Sequence, residues 1–162
     1  MNLYVMRHAI AAEPDEATPD EQRALTEAGR KKLLKIARSL KKMGITLDLL
    51  LTSPYLRARQ TAEVVAAQLK PGTVLESTAL LPPGAAGVLV DEINARAPLQ
   101  NVMVIGHEPF LGQFIGTLAA GEANLGITLK KAGVCKLAVE TLSNKRCATL
   151  EWLLTPAQLV EM

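Results

Sequence analysis

Three runs, Leu3-Tyr4-Val5-Met6, Leu49-Leu50-Leu51 and Val102-Met103-Val104-Ile105, carry no polar residue at all. A strand with one wet face alternates apolar and polar side chains, so a strand without alternation is covered on both sides. These runs are too short for buried helices, and stretches of three-to-four apolar spacing separate them. Buried strands alternating with amphipathic helices build a mostly parallel sheet with helices on each face. The expected fold is therefore α/β, a three-layer α/β/α sandwich, formed by residues 1–162 as a single domain.

Local signals place the elements. Strands are expected at about 2–6, 48–52, 73–76 and 101–105. Residues 10–22 hold two prolines and five carboxylates and read as a loop. Thr26 can cap a helix, since Leu33, Ile36, Ala37, Leu40 and Met43 follow at helical spacing and Gly44 ends it. A second helix runs from Ser53-Pro54 to about Leu69, a third spans about 85–95, and Pro109 opens a fourth over Phe110 to Ala120. Two further strands, Val134 to Glu140 and Arg146 to Leu153, form a closing hairpin, so at least one strand is antiparallel. Thr155 to Met162 reads as a short docking helix. Within the hairpin, Cys135 and Cys147 fall too far apart along the ladder to bridge, and reduced thiols fit a cytoplasmic address.

Several function classes are excluded or disfavoured. No apolar stretch approaches the ~20 residues of a membrane span, and no basic segment precedes the first run as in a signal peptide. Net charge is +2 and aromatic residues make up 3%, which gives little for nucleic acid to bind or stack on. Neither Cys-x-x-Cys nor a close histidine pair is present, so no metal and no cofactor is expected. The basic cluster Arg30-Lys31-Lys32, Lys35, Arg38, Lys41-Lys42 reads as the solvated face of a helix, with a docking patch for an acidic protein as the alternative.

The chain has two histidines, and each directly follows one of the apolar runs: Arg7-His8 and Gly106-His107. The Leu49–Leu51 run leads into Thr52-Ser53-Pro54-Tyr55-Leu56-Arg57. In a parallel sheet all three ends lie at one carboxyl edge, where open α/β sheets bind ligands. Arg7, Arg57 and a charged imidazole would make a convergent donor cluster for a phosphoryl group. Neighbouring arginines disfavour an imidazolium, and a neutral imidazole is a competent nucleophile towards phosphorus.

Four pieces in this order, Arg7-His8, Arg23-Ala24-Leu25-Thr26-Glu27-Ala28-Gly29, Ser53 through Glu63, and Gly106-His107-Glu108-Pro109, resemble the histidine phosphatase superfamily, the phosphoglycerate mutase-like proteins. The resemblance implies His8 as a nucleophile that forms a phosphohistidine intermediate. It implies Arg7, Arg57 and His107 as a clamp on the phosphoryl oxygens, His107 working protonated while His8 starts neutral. Arg23 would stand at the lip of the pocket, with Ser53 and Glu108 as further substrate contacts. The family places glycine after the nucleophile; here it is Ala9, which would strain the turn if φ were positive there.

Larger members carry a long insertion between the second arginine and the second histidine. Here only fifty residues separate Arg57 from His107, enough for the expected elements and no helical lid. The chain thus resembles the bacterial phosphohistidine phosphatases of the SixA type, whose open site admits a protein surface. An ester needs an acid to protonate its alkoxide, whereas a phosphoramidate protonated on imidazole leaves as neutral histidine. Glu108, Asp20 and Glu21 remain candidates for such an acid. The expected activity is a metal-independent phosphatase acting on phosphohistidine of a signalling protein, such as a histidine phosphotransfer domain, in the cytoplasm. A small-molecule phosphomonoesterase and a non-catalytic phosphate-binding or docking module are the alternatives.

Overall fold

The computed structural model describes residues 1–162 and orders six strands as β3-β2-β4-β1-β5-β6. These are β1 (Asn2–Arg7), β2 (Leu49–Thr52), β3 (Thr73–Glu76), β4 (Asn101–Gly106), β5 (Val134–Val139) and β6 (Ala148–Leu154). β1 pairs parallel to β4, and β2 parallel to both β4 and β3. β5 is antiparallel to β1 and to β6. One strand alone therefore runs against the rest, and the hairpin returns β6 to the common direction.

Successive strand residues point to opposite faces, and both faces are covered. Leu3, Val5, Leu49, Leu51, Val102 and Val104 join one core with Leu89 and Ile93 of α3 (Ala86–Asn94) and Leu111, Phe114 and Leu118 of α4 (Phe110–Ala120). Tyr4, Met6, Leu50, Met103 and Ile105 join the other. Their partners there include Leu33 and Ile36 of α1 (Glu27–Lys42), Ala58 and Val65 of α2 (Leu56–Leu69), and Leu159 of α5 (Pro156–Glu161). The expected three layers are present, with no helical insertion between α3 and β4. No helix is long and apolar enough to cross a membrane.

The Leu25-Thr26-Glu27-Ala28-Gly29 stretch shows how sequence sets a junction near the sheet edge. The Thr26 hydroxyl accepts from Gly29 N–H at 2.9 Å and caps α1, satisfying one of the helix's free donors. Gly29 is required by space: a Cβ there would stand 2.4 Å from the Ile10 carbonyl oxygen. The loop after His8 is thereby pressed onto the start of α1, with Ala11 bridging Leu25. A single 3-10 turn at Asp20–Gln22 interrupts the 10–22 loop. In the hairpin, Cys135 pairs with Leu153 while Cys147 lies beyond β6, and both thiols are free.

Candidate active site

β1 and β4 are adjacent, with Arg7 opposite Gly106. The residues that follow, His8 and His107, stand side by side with ring centroids 5.1 Å apart. On the far side of β4, β2 ends at Thr52, and the chain turns through Ser53-Pro54-Tyr55 into α2. That turn sends Arg57 back over the same edge, where its Nε donates to His8 Nε2 at 3.3 Å. Arg7, His8, Arg57 and His107 share one cavity of about 410 Å³ with Asp20, Arg23, Glu108 and Lys131.

Hydrogen bonds fix the His8 tautomer. Nδ1 lies 2.8 Å from the Ala9 carbonyl oxygen, which can only accept, so Nδ1 carries the proton. The lone pair is then on Nε2, the atom facing Arg57. Burial pushes His8 down to about 3; the Ala9 bond opposes this, while the charges of His107, Arg57 and Arg7 add to it. His8 is thus a neutral imidazole at physiological pH, with its lone pair on Nε2, where it accepts from the Arg57 Nε–H.

His107 is also held down, to about 4, first by burial and then by Arg57, with Asp20 opposing. The resemblance implies a protonated His107, whereas burial and the Arg57 charge favour the neutral ring. A phosphoryl dianion placed among these groups would raise it again. Its Nε2 is 2.8 Å from Ser53 Oγ, which also accepts from Tyr55 N–H at 3.3 Å. If each atom is used once, the Ser53 hydrogen goes to Nε2 and the His107 proton sits on Nδ1. Two buried side-chain nitrogens in the molecule have no partner, His107 Nδ1 and Arg7 Nε. Both belong to residues that line this cavity.

The remaining expected residues divide. Ser53 is wholly buried and does not line the cavity; it holds His107 in place of touching a ligand. Arg23 does line it, its Nε bound to Asp20 Oδ1 at 2.8 Å and a terminal nitrogen bound to Ala12 O at 2.8 Å. Asp20 reaches both arginines: Arg57 binds its carboxylate at 3.2 Å and its carbonyl oxygen at 2.7 Å. Burial alone would raise the Asp20 carboxyl, but the Arg23 bond and the Arg57 charge together hold it below its ordinary value. An acid kept ionised in this way has no proton to give at neutral pH. Glu108 lines the cavity, yet its two oxygens accept from Gly112 N–H and Leu129 N–H. Glu21 lines a separate cleft beside Tyr55 and Leu81.

Three supports escaped the sequence reading. Thr61 Oγ1 accepts from Ala9 N–H at 3.0 Å and donates to Arg57 O, tying the turn after His8 to α2. Tyr55 sets its ring edgewise to His107, 5.1 Å between centroids, with the Arg57 guanidinium 5.0 Å from its centre. Lys131 enters because β5 is antiparallel, so its beginning lies at the edge where the other strands end; no local pattern marks that. Ala9 has no positive φ and is buried among Leu25, Ala58 and Met6. Its methyl group therefore fills core space without straining the turn. No group of three or more histidine, cysteine, aspartate or glutamate side chains comes together to hold a metal ion. Positive charge in this cavity comes from Arg7, Arg23, Arg57 and Lys131.

Comparison with known proteins points the same way. A sequence model of the histidine phosphatase superfamily (branch 1) matches residues 3–81. The phosphohistidine phosphatase SixA of Escherichia coli K12 is 30% identical over 162 residues, covering 98% of this chain and 96% of that protein. An uncharacterised protein of Picosynechococcus sp. is 36% identical over 140 residues, covering 85% and 84%. The solved structure of the protein histidine phosphatase SixA complexed with tungstate superposes with a TM-score of 0.86 at 28% identity, covering 98% of this chain and 99% of that one. Phosphoserine phosphatase from Entamoeba histolytica, at 15% identity and a TM-score of 0.72 with 98% of each chain covered, shares the fold.

Proposed function

The chain belongs to the histidine phosphatase superfamily, in its SixA-type branch, and is a phosphatase; from that premise we propose that it hydrolyses phosphohistidine on a signalling protein of the cytoplasm, with His8 as nucleophile. The observation that carries the reading is the His8 tautomer. Its Nε2 lone pair faces the arginine-lined cavity while Nδ1–H is tied to Ala9 O. Arg7 Nε and His107 Nδ1, buried without partners, are the donors that phosphoryl oxygens would satisfy.

In the first step the Nε2 lone pair attacks phosphorus and the substrate's P–N bond breaks. The bonding pair leaves on the substrate imidazole, which keeps its other proton and departs neutral. Arg7, Arg57 and His107 hold the phosphoryl oxygens as charge shifts among them. The ring of phosphorylated His8 is an imidazolium bearing an anionic phosphoryl group, and the Ala9 carbonyl continues to accept from its Nδ1–H. Water then attacks phosphorus, the P–Nε2 bond breaks, the pair returns to His8, and the water's proton goes to orthophosphate or solvent. Neither step calls on a side-chain acid, in keeping with an ionised Asp20 and a Glu108 whose oxygens are already engaged.

The test is a comparison of substrates with the intact chain: a histidine phosphotransfer protein phosphorylated with phosphoramidate, a sugar phosphate, and p-nitrophenyl phosphate. The phosphohistidine protein is expected to turn over fastest, with and without a chelator. Equal or greater kcat/KM on the sugar phosphate would replace this reading with a small-molecule phosphomonoesterase. Phosphate binding without turnover of any of the three would leave a non-catalytic module.

A further inference from the structure

Beside the catalytic cavity, along the same sheet edge, lies a second groove of about 620 Å³ that the reaction above does not use. Its walls include Arg7, Ile10, Lys32, Lys130, Lys131 and Pro156. Arg7 and Lys131 line both spaces, so the two adjoin. The topology accounts for this. The cavity stands over the ends of β4 and β1, and the groove over the start of β5 and the end of β6.

The geometry points to this groove as the docking surface for an acidic face of the phosphohistidine-bearing protein, next to its phosphorylated residue. This inference rests on the phosphohistidine reading and adds the chemistry of the partner.

Charge is the first argument. No carboxylate lines the groove, and Lys32, Lys130 and Lys131 take part in none of the molecule's ion pairs. The whole chain has a net charge of only +2, so this is a local concentration. Of the α1 basic cluster, Lys31 is spent on Glu27, whereas Lys32 is half-buried on the groove wall.

The kind of cation is the second argument. The catalytic cavity uses arginine forks, suited to the fixed oxygens of one phosphoryl group. Apart from the shared Arg7, the groove uses lysines, flexible point charges that meet carboxylates at variable positions on a protein surface. Exposed Ile10 adds an apolar contact, and no aromatic side chain is present on which a base could stack.

The groove is also rigid. Lys130 and Lys131 sit on a turn closed by Gly133 N–H to Lys130 O at 2.7 Å. Ala132, left-handed at φ +64°, donates its N–H to both Arg7 O and His8 O at 3.1 Å. The lysine platform is thus fastened to the residue proposed to receive the phosphoryl group.

The experiment uses the full chain and a Lys32→Glu/Lys130→Glu variant, neither residue lining the catalytic cavity. Two substrates carry the same bond: a phosphorylated histidine phosphotransfer protein with carboxylates beside its phosphohistidine, and free phosphohistidine. The variant is expected to lose at least tenfold in kcat/KM on the protein, through KM, and to stay within twofold of wild type on the free amino acid. Added salt should slow the wild type on the protein and affect the variant less. An unchanged KM on the protein would overturn the docking proposal while leaving the phosphohistidine reading intact. Equal loss on both substrates would make the lysines a general anion funnel and overturn it too. A wild type inactive on both substrates would fell the phosphohistidine reading, and the docking proposal with it. Loss of binding to a single-stranded RNA oligonucleotide, with protein kinetics unaltered, would assign the groove to nucleic acid instead.

Discussion

At the reacting nitrogen, two constraints meet: the Ala9 carbonyl takes the Nδ1 proton, and burial among arginines keeps Nε2 unprotonated. Because His8 and His107 are the only histidines, imidazole NMR reads both without ambiguity. In phosphate-free buffer neither should titrate near the ordinary 6.5 of histidine, and both should stay neutral to below pH 5. Adding vanadate should raise His107; an inflection near 6.5 in the anion-free protein would contradict the assignment. Asp20 supplies a second prediction. Its carboxylate occupies part of the Arg57 and Arg23 donor set, yet its carbonyl also holds Arg57. Asp20→Asn keeps the carbonyl bond and removes the charge, so vanadate inhibition should tighten severalfold; weaker inhibition would mean the carboxylate chiefly serves to aim the arginines. His8, Arg7, Arg57 and His107 were legible as a group because each adjoins a strand end or helix start. Ser53, expected as a substrate contact, instead holds His107, and nothing in the sequence tells a hydroxyl that faces a ligand from one that holds a neighbouring ring.

Among the elements, the junction of the 10–22 loop with α1 carries the site's outer wall. Gly29→Ala improves helix propensity by about 1 kcal/mol, but its methyl would stand 2.4 Å from the Ile10 carbonyl. Overpacking of this kind costs about 1–3 kcal/mol, so the variant should unfold at lower urea than wild type. A stabilised variant would show that the loop yields freely. The helices and strands are readable because apolar spacing, the Thr26 cap and the Gly44 stop all agree. Strand order is not. Contiguous strands in the chain give no sign that β4 inserts between β2 and β1, or that antiparallel β5 brings Lys130 and Lys131 to the catalytic edge.

For the molecule as a whole, two buried neutral histidines link function to stability. In the unfolded chain each takes up a proton near pH 6.5, whereas in the fold His8 and His107 do so only at about 3 and 4. Between those limits the unfolded state binds more protons, so stability falls as pH falls. From pH 7 to pH 5 the two together should cost roughly 3–4 kcal/mol, seen as a lower urea midpoint. In His8→Ala, with one such group removed, the drop should shrink by about half; an undiminished drop would place the effect elsewhere. This is the cost of an architecture that gathers cations and imidazoles at one edge, over central strands whose inner residues are buried on both faces. The most direct test of that arrangement is to mix the enzyme with a phosphohistidine protein, quench under alkaline conditions and map the phosphoryl group by mass spectrometry. One phosphoryl group is expected on His8, bonded at Nε2, and none in His8→Ala. A phosphoryl group on Nδ1 or on His107, or full turnover by His8→Ala, would contradict it.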